Sequence, residues 1–172
     1  MNEFVSIVGG NGFLGKKIAS LFTAKKLDYR AFDINFSKKS LNYVNVENTE
    51  SLEVLKNSSA IINLAAVHRD DVMPITRYDD VNIGGAINVC NFASENSIKK
   101  IIFTSSVAIY GFASADTNES GIPNYFNDYG RTKYFAEQVF KDWQMEDSKK
   151  RTLVIVRPTV IFGEGNRGNV YN

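Results

Sequence analysis

The chain contains a single cysteine, Cys90, so no disulfide can form within it. Set in an apolar pattern, Cys90 reads as a small core residue of a protein in a reducing compartment. Neither sign of charge is in excess: 20 Lys and Arg against 19 Asp and Glu leave a net +1, with no long basic run. That balance excludes the electrostatic footprint of a nucleic-acid or anionic-membrane binder. No apolar run approaches the ~20 residues that span a bilayer. The opening "MNEFVSIVGG" lacks the positive flank and long apolar stretch of a signal peptide, so the cytoplasm is the expected location. Repeats, linkers and low-complexity segments are missing too.

What is present fits one soluble domain: 172 residues, 44% apolar and 23% charged. Short β-branched and aromatic runs alternate with helical patterns. Strands are expected at Phe4–Val8, Tyr29–Ile34, Asn42–Val46, Ala60–Ala66, from Lys99 toward Gly111, and at Arg151–Pro158. Helical segments are expected after the first strand, over "TESLEVLKN", around Asp79–Glu95 and over Tyr129–Gln144. The strands are nearly continuous apolar runs. Their order predicts an α/β fold, a mostly parallel, doubly wound sheet with helices on both faces. The tail "GEGNRGNVYN" has no closing element, which leads to the expectation that residues 1–172 are the N-terminal part of a longer protein.

"VGGNGFLG" joins the first strand to the first helix. Gly9 permits a sharp turn, Gly12 a close approach of backbone to a diphosphate, and Gly15 tight helix–sheet packing. The N–H groups at the helix start would hold phosphate oxygens. Asp33, 18 residues beyond Gly15, stands where a carboxylate would accept bonds from an adenosine ribose and repel a 2′-phosphate, which points to NAD rather than NADP. The alternative is a solvated carboxylate at a strand end.

Ser105 and Ser106 follow the fifth strand, at the sheet edge where ligands bind in open parallel sheets. Tyr129 and Lys133 stand four apart on a helix, hence on one face. To act as a base near neutrality a tyrosine must fall about three units from ~10, about 4 kcal/mol. A neighbouring ammonium favours the phenolate. A serine hydroxyl would hold a substrate oxygen beside it while hydride passes to a nicotinamide.

Taken together, "GGNGFLG", "FDI", "INLAAV", "VNIGGAINVC", "IIFTSSVAIYG", "YGRTK" and "IVRPTVIFGEGNRG" resemble the NAD-dependent epimerase/dehydratase branch of the extended short-chain dehydrogenase/reductase superfamily. The resemblance runs along essentially the whole chain and implies a Rossmann-type domain whose substrate-binding subdomain is largely absent from these residues. It implies that Gly9, Gly12, Phe13 and Leu14 contact the NAD diphosphate, Asp33 the adenine ribose, and Asn45 and Val46 flank adenine. Leu64, Ala65 and Ala66 would pass under the cofactor, Asn82 would support the site, and Pro158 would touch the nicotinamide end. Ser106, Tyr129 and Lys133 would be catalytic, with Lys133 also on the nicotinamide ribose. Asn45 departs from the Asp that the family often carries. His68, the single histidine, is either a cofactor-edge contact or a surface residue; Arg157 is either structural or substrate-binding.

The family's 4,6-dehydratases resemble "STDEVYG" at the active-site strand, whereas this chain has "SSVAIYG". Val107 and Ala108 cannot move protons, so the resemblance implies a 4-epimerase acting on a nucleotide-diphosphate sugar such as a UDP-sugar. A reductase or dehydrogenase of the superfamily and a non-catalytic NAD-binding regulator stand as alternatives. A homodimer through the long helices is a further implication; Phe135, Val139 and Phe140 would form its face or belong to the core.

Overall fold

The computed structural model describes residues 3–69 and 71–164. Five parallel strands form one sheet: β1 (Phe4–Val8), β2 (Tyr29–Phe32), β3 (Ser58–Asn63), β4 (Lys100–Thr104) and β5 (Thr152–Val156), in the order β2-β1-β3-β4-β5. The helices are α1 (Phe13–Ala24), α2 (Thr76–Tyr78), α3 (Gly85–Glu95) and α4 (Asp128–Glu146). A π-helical segment, Asp79–Gly84, joins α2 to α3, and two 3₁₀ turns cover Thr49–Leu55 and Val107–Tyr110.

The chain leaves β1 for β2 on one side and then crosses to β3 on the other. This reversal opens a crevice at the carboxyl ends of β1 and β3. Phe4, Val8, Ile61, Ile101 and Phe103 pack in one cluster with Val89, Phe92 and Ala93 of α3 and Ala136, Phe140 and Trp143 of α4. Ile7 points to the opposite face from Val8 and is also fully buried, so β1 is covered on both faces. The Phe103 and Phe140 rings lie 4.4 Å apart and join β4 to α4. Cys90 is buried in this core, and burial pushes its thiol up to about 12.

One expectation needs correction. Asn42–Val46 is not a strand; it makes one parallel bridge, Asp33 to Tyr43. Side chains engage the nearby backbone instead: Asn42 Nδ2 donates to the Ala31 carbonyl of β2 at 2.8 Å, and the Ser51 hydroxyl donates to the Asn45 carbonyl at 2.8 Å. These bonds compete with a ladder, while Val44 and Val46 still reach the core. In the run Arg151–Pro158, Leu153 and Ile155 pack against the core, while Val154 and Val156 are exposed among the described residues. Among the described residues no helix is long and apolar enough to cross a membrane.

Candidate active site

At the β1 end of the crevice the wall is mostly backbone. Gly9 takes φ +82°, and a Cβ there would lie 2.9 Å from the Ala65 nitrogen, so the loop passes against the segment after β3 only because the side chain is missing. α1 then starts with no side-chain cap and no acid in its first turn. Its leading N–H groups are thus not claimed by the chain's own side chains. Asp33 directly follows β2 and is 5% exposed. Its carboxylate accepts the N–H of Asn11 in the glycine loop and the N–H of Asn35, each at 2.9 Å. It is therefore held against the loop rather than solvated at a strand end.

At the β4 end the wall is made of side chains. Ser106 caps the turn Val107–Tyr110, its hydroxyl oxygen accepting the Ala108 N–H at 3.1 Å. Asn127 caps α4, its Oδ1 accepting the Gly130 N–H at 2.8 Å. A Cβ on Gly130 would meet the Ala108 carbonyl oxygen at 2.4 Å, so the glycine beside Tyr129 lets α4 close onto the serine turn. Two further ties fix the start of α4. Arg131 donates to both carboxylate oxygens of Asp79, at 2.8 and 2.6 Å, and to Asp128 at 2.9 Å. Asn82, buried in the π-helical segment, accepts the Val67 N–H at 2.8 Å and donates to the Val67 carbonyl at 3.0 Å and the Thr132 hydroxyl at 2.9 Å.

This scaffold brings Tyr129, Lys133 and Ser106 together on the wall of one cleft. Tyr129 is held above its ordinary value by burial, opposed by a hydrogen bond with Ser106. Lys133 is 2% exposed, and burial brings it down to about 7, opposed by the charge of Glu137. Its ammonium sits 4.2 Å from the centre of the Phe103 ring. Burial thus moves both groups toward their neutral forms.

Gly9, Gly12, Phe13, Leu14, Gly15, Leu64, Ala66, Ser105, Ser106, Tyr129, Lys133 and Pro158 share the cleft wall. Asp33, Asn45, Val46, Ala65 and Asn82 lie off it: Asp33 against the glycine loop, Val46 under Gly85, Asn82 behind the helix start. His68 is exposed and lines the cleft. Val107 and Ala108 also face it. Arg157 has a structural role, donating to both oxygens of Glu137 at 2.8 and 2.6 Å. Phe140 belongs to the core, Val139 packs on it, and Phe135 is 40% exposed.

Sequence reasoning missed Glu137, which is completely buried beside the site. The signal was a glutamate four residues beyond Lys133, in register with Tyr129 and Lys133 along one helix face.

The description "NAD dependent epimerase/dehydratase family" belongs to a family model that matches residues 5–171. An N-acetyl-alpha-D-glucosaminyl-diphospho-ditrans,octacis-undecaprenol 4-epimerase of Escherichia coli O157:H7 is 40% identical, the match covering 100% of this chain and 53% of that protein. A UDP-glucose 4-epimerase of Vibrio cholerae is 27% identical over 98% of this chain and 55% of its own length. The crystal structure of UDP-glucose 4-epimerase from Brucella ovis in complex with NAD superposes with a TM-score of 0.80 at 25% identity, covering 91% of this chain and 51% of that one. The chain thus spans about half the length of the relatives it matches. By its fold, its cleft and the family match along nearly its whole length, this chain belongs to the NAD-dependent epimerase/dehydratase family.

Proposed function

We propose that these residues form the NAD-binding and proton-transferring part of a 4-epimerase whose substrate is a sugar carried on a diphosphate, a UDP-sugar in the first instance. The observation that carries this reading is the meeting of Ser106, Tyr129 and Lys133 on the cleft wall that also carries the glycine loop. The NAD-bound relative and the 4-epimerase names of the relatives support it.

The residues present fit a dinucleotide. The uncapped first turn of α1 offers N–H groups to a diphosphate, and Gly9 and Gly12 leave room for it. Asp33 stands beside the loop with oxygens to offer a ribose. Bound NAD would take up hydride at its nicotinamide ring and return it to the same carbon. Ser106 would hold the reacting sugar hydroxyl, and Tyr129 would take the proton and give it back. Lys133 would supply the positive charge that makes the phenolate accessible, offsetting the burial that raises Tyr129. Pro158 and Thr159 would close the nicotinamide end. Val107 and Ala108 offer no acid for an elimination, which disfavours a 4,6-dehydratase.

A second substrate, a sugar on a polyprenyl diphosphate, is favoured by the 40% identical E. coli relative and by the cleft rim. There Met73, Ile75, Phe126 and Val160 line the cleft while remaining at least half exposed.

The test is Tyr129→Phe in the full-length protein, assayed with UDP-sugars and separately with an undecaprenyl-diphosphate sugar. Removing the acid/base group should cost roughly 10²–10⁴ in kcat with NAD binding kept. Unaltered turnover would remove Tyr129 from the mechanism, and the arm that turns over identifies the carrier.

A further inference from the structure

Five side chains able to gain or lose a proton line the cleft: His68, Tyr78, Asp128, Tyr129 and Lys133. Four of them are engaged within the protein. Tyr78 donates to the Arg69 carbonyl, and Asp128 accepts Arg131 Nε at 2.9 Å. Tyr129 bonds to Ser106, and Lys133 lies 4.2 Å from the centre of the Phe103 ring. The fifth, the His68 imidazole, is exposed and makes no hydrogen bond or ion pair among the described residues.

The backbone that carries His68 is nevertheless fixed on both sides. Before it, Asn82 takes both polar groups of Val67: Oδ1 accepts the N–H at 2.8 Å and Nδ2 donates to the carbonyl at 3.0 Å. After it, the Tyr78 hydroxyl donates to the Arg69 carbonyl. Asn82 and Tyr78 are buried. Two buried polar side chains thus hold the backbone around a side chain that itself holds nothing. Asn82 Nδ2 also donates to the Thr132 hydroxyl at 2.9 Å, which sets this loop in register with the turn of α4 between Tyr129 and Lys133. A donor presented on a fixed loop loses little freedom when a ligand takes it.

The sheet order indicates what the donor meets. β3 lies between β1 and β4, so the loop after it leaves the sheet between the glycine loop and Ser106. At the β1 end the uncapped start of α1 offers N–H groups to one diphosphate. The turn Val107–Tyr110 and α4 also begin at the cleft, but there Ser106 and Asn127 cap the chain's own N–H groups. Among the described residues a second diphosphate in the cleft is therefore left to side chains, and an imidazole N–H is a donor suited to a phosphate oxygen. We propose that His68 is a substrate-binding residue that donates to the diphosphate joining the sugar to its carrier. This rests on the reading of the cleft as the site of a diphosphate-linked sugar. UDP-sugars and polyprenyl-diphosphate sugars share that group, so the contact serves either carrier. His68 then governs how tightly substrate is held, while Ser106, Tyr129 and Lys133 serve the reacting carbon.

The test compares His68→Phe, which keeps a ring and removes the donor, with His68→Gln, which keeps an N–H. The full-length protein, loaded with NAD, is titrated with UDP and with geranyl diphosphate, two non-reacting carriers, and assayed with a UDP-sugar and an undecaprenyl-diphosphate sugar. The probe that binds the unmodified protein identifies the carrier. His68→Phe should weaken that probe, and raise KM for the matching sugar, by roughly 10- to 100-fold. kcat should change far less, and the NAD Kd and the urea-unfolding midpoint should not move. His68→Gln should recover most of the lost affinity. Unmoved probe affinity in His68→Phe overturns the role, and so does an equal loss in both variants, which assigns the effect to shape. Weakened NAD binding with substrate affinity kept places His68 on the cofactor and overturns it too, as does an affinity loss that tracks a fall in stability. Unmoved KM in an active enzyme sinks this role alone. Weakened diphosphate binding in a protein that epimerises nothing sinks the epimerase reading and not the contact.

Discussion

The two ends of the cleft are built from different materials. At the β1 end, recognition is prepared by backbone: a turn at positive φ, an uncapped helix start, and one carboxylate fastened by N–H groups. At the β4 end it is prepared by side chains: Lys133 buried against the Phe103 ring, a buried Glu137 bound by Arg157, and a part-exposed Arg131 bound to Asp79. A backbone site offers fixed dipoles that do not titrate. A side-chain site can change protonation, at the cost of burying charge. Holding a diphosphate needs the first property and moving a proton needs the second.

Substitutions can break this contrast. The largest effect is expected from Arg157→Met, which strands a fully buried carboxylate. It should cost about 3–5 kcal/mol in urea-unfolding stability, where an equal truncation at an exposed pair such as Arg69–Asp71 should cost well under that. Asp33→Asn comes next. It keeps the side-chain shape but removes the charge that accepts the Asn11 N–H, and should weaken NAD binding by about 1.5–3 kcal/mol and narrow its preference over NADP, as read by calorimetric titration. Gly9→Ala should cost about 1–2 kcal/mol from the left-handed backbone alone, with lost NAD affinity and a Tyr129–Ser106 end that keeps its geometry.

The last effect is a slope rather than a step. Lys133 binds its proton less tightly folded, at about 7, than unfolded, at 10.5. The unfolded chain therefore holds more protons between those values, and stability without added NAD should rise with pH across that window. Lys133→Met should remove that rise, and a stability–pH curve identical in slope to that of the unmodified protein would contradict the burial of its charge.

The backbone end was legible in the sequence because its signals are local. Gly9, Gly12 and Gly15 lie within one turn and its helix, and Asp33 follows the next strand at a telling distance. Ser106, Tyr129 and Lys133 were legible as types at a spacing. The partners around them were not, because Phe103 reaches Lys133 and Arg157 reaches Glu137 only when β4, α4 and β5 are side by side. The fold shows the same division. Parallel strands were readable as apolar runs, but the Val44 and Val46 alternation forms no ladder, since Asn42 and Ser51 bond to the backbone of Ala31 and Asn45.

The turn at Val107–Tyr110 carries one more consequence. Its backbone is fixed from outside the two side chains that face the cleft: the Val107 N–H donates to the Pro158 carbonyl at 3.1 Å and the Ala108 N–H to the Ser106 hydroxyl. Val107 and Ala108 can therefore be exchanged without disturbing what holds them. The two positions facing the cleft at this turn are thus separable from the bonds that hold it, so acids could be written there while the Ser106 cap is kept.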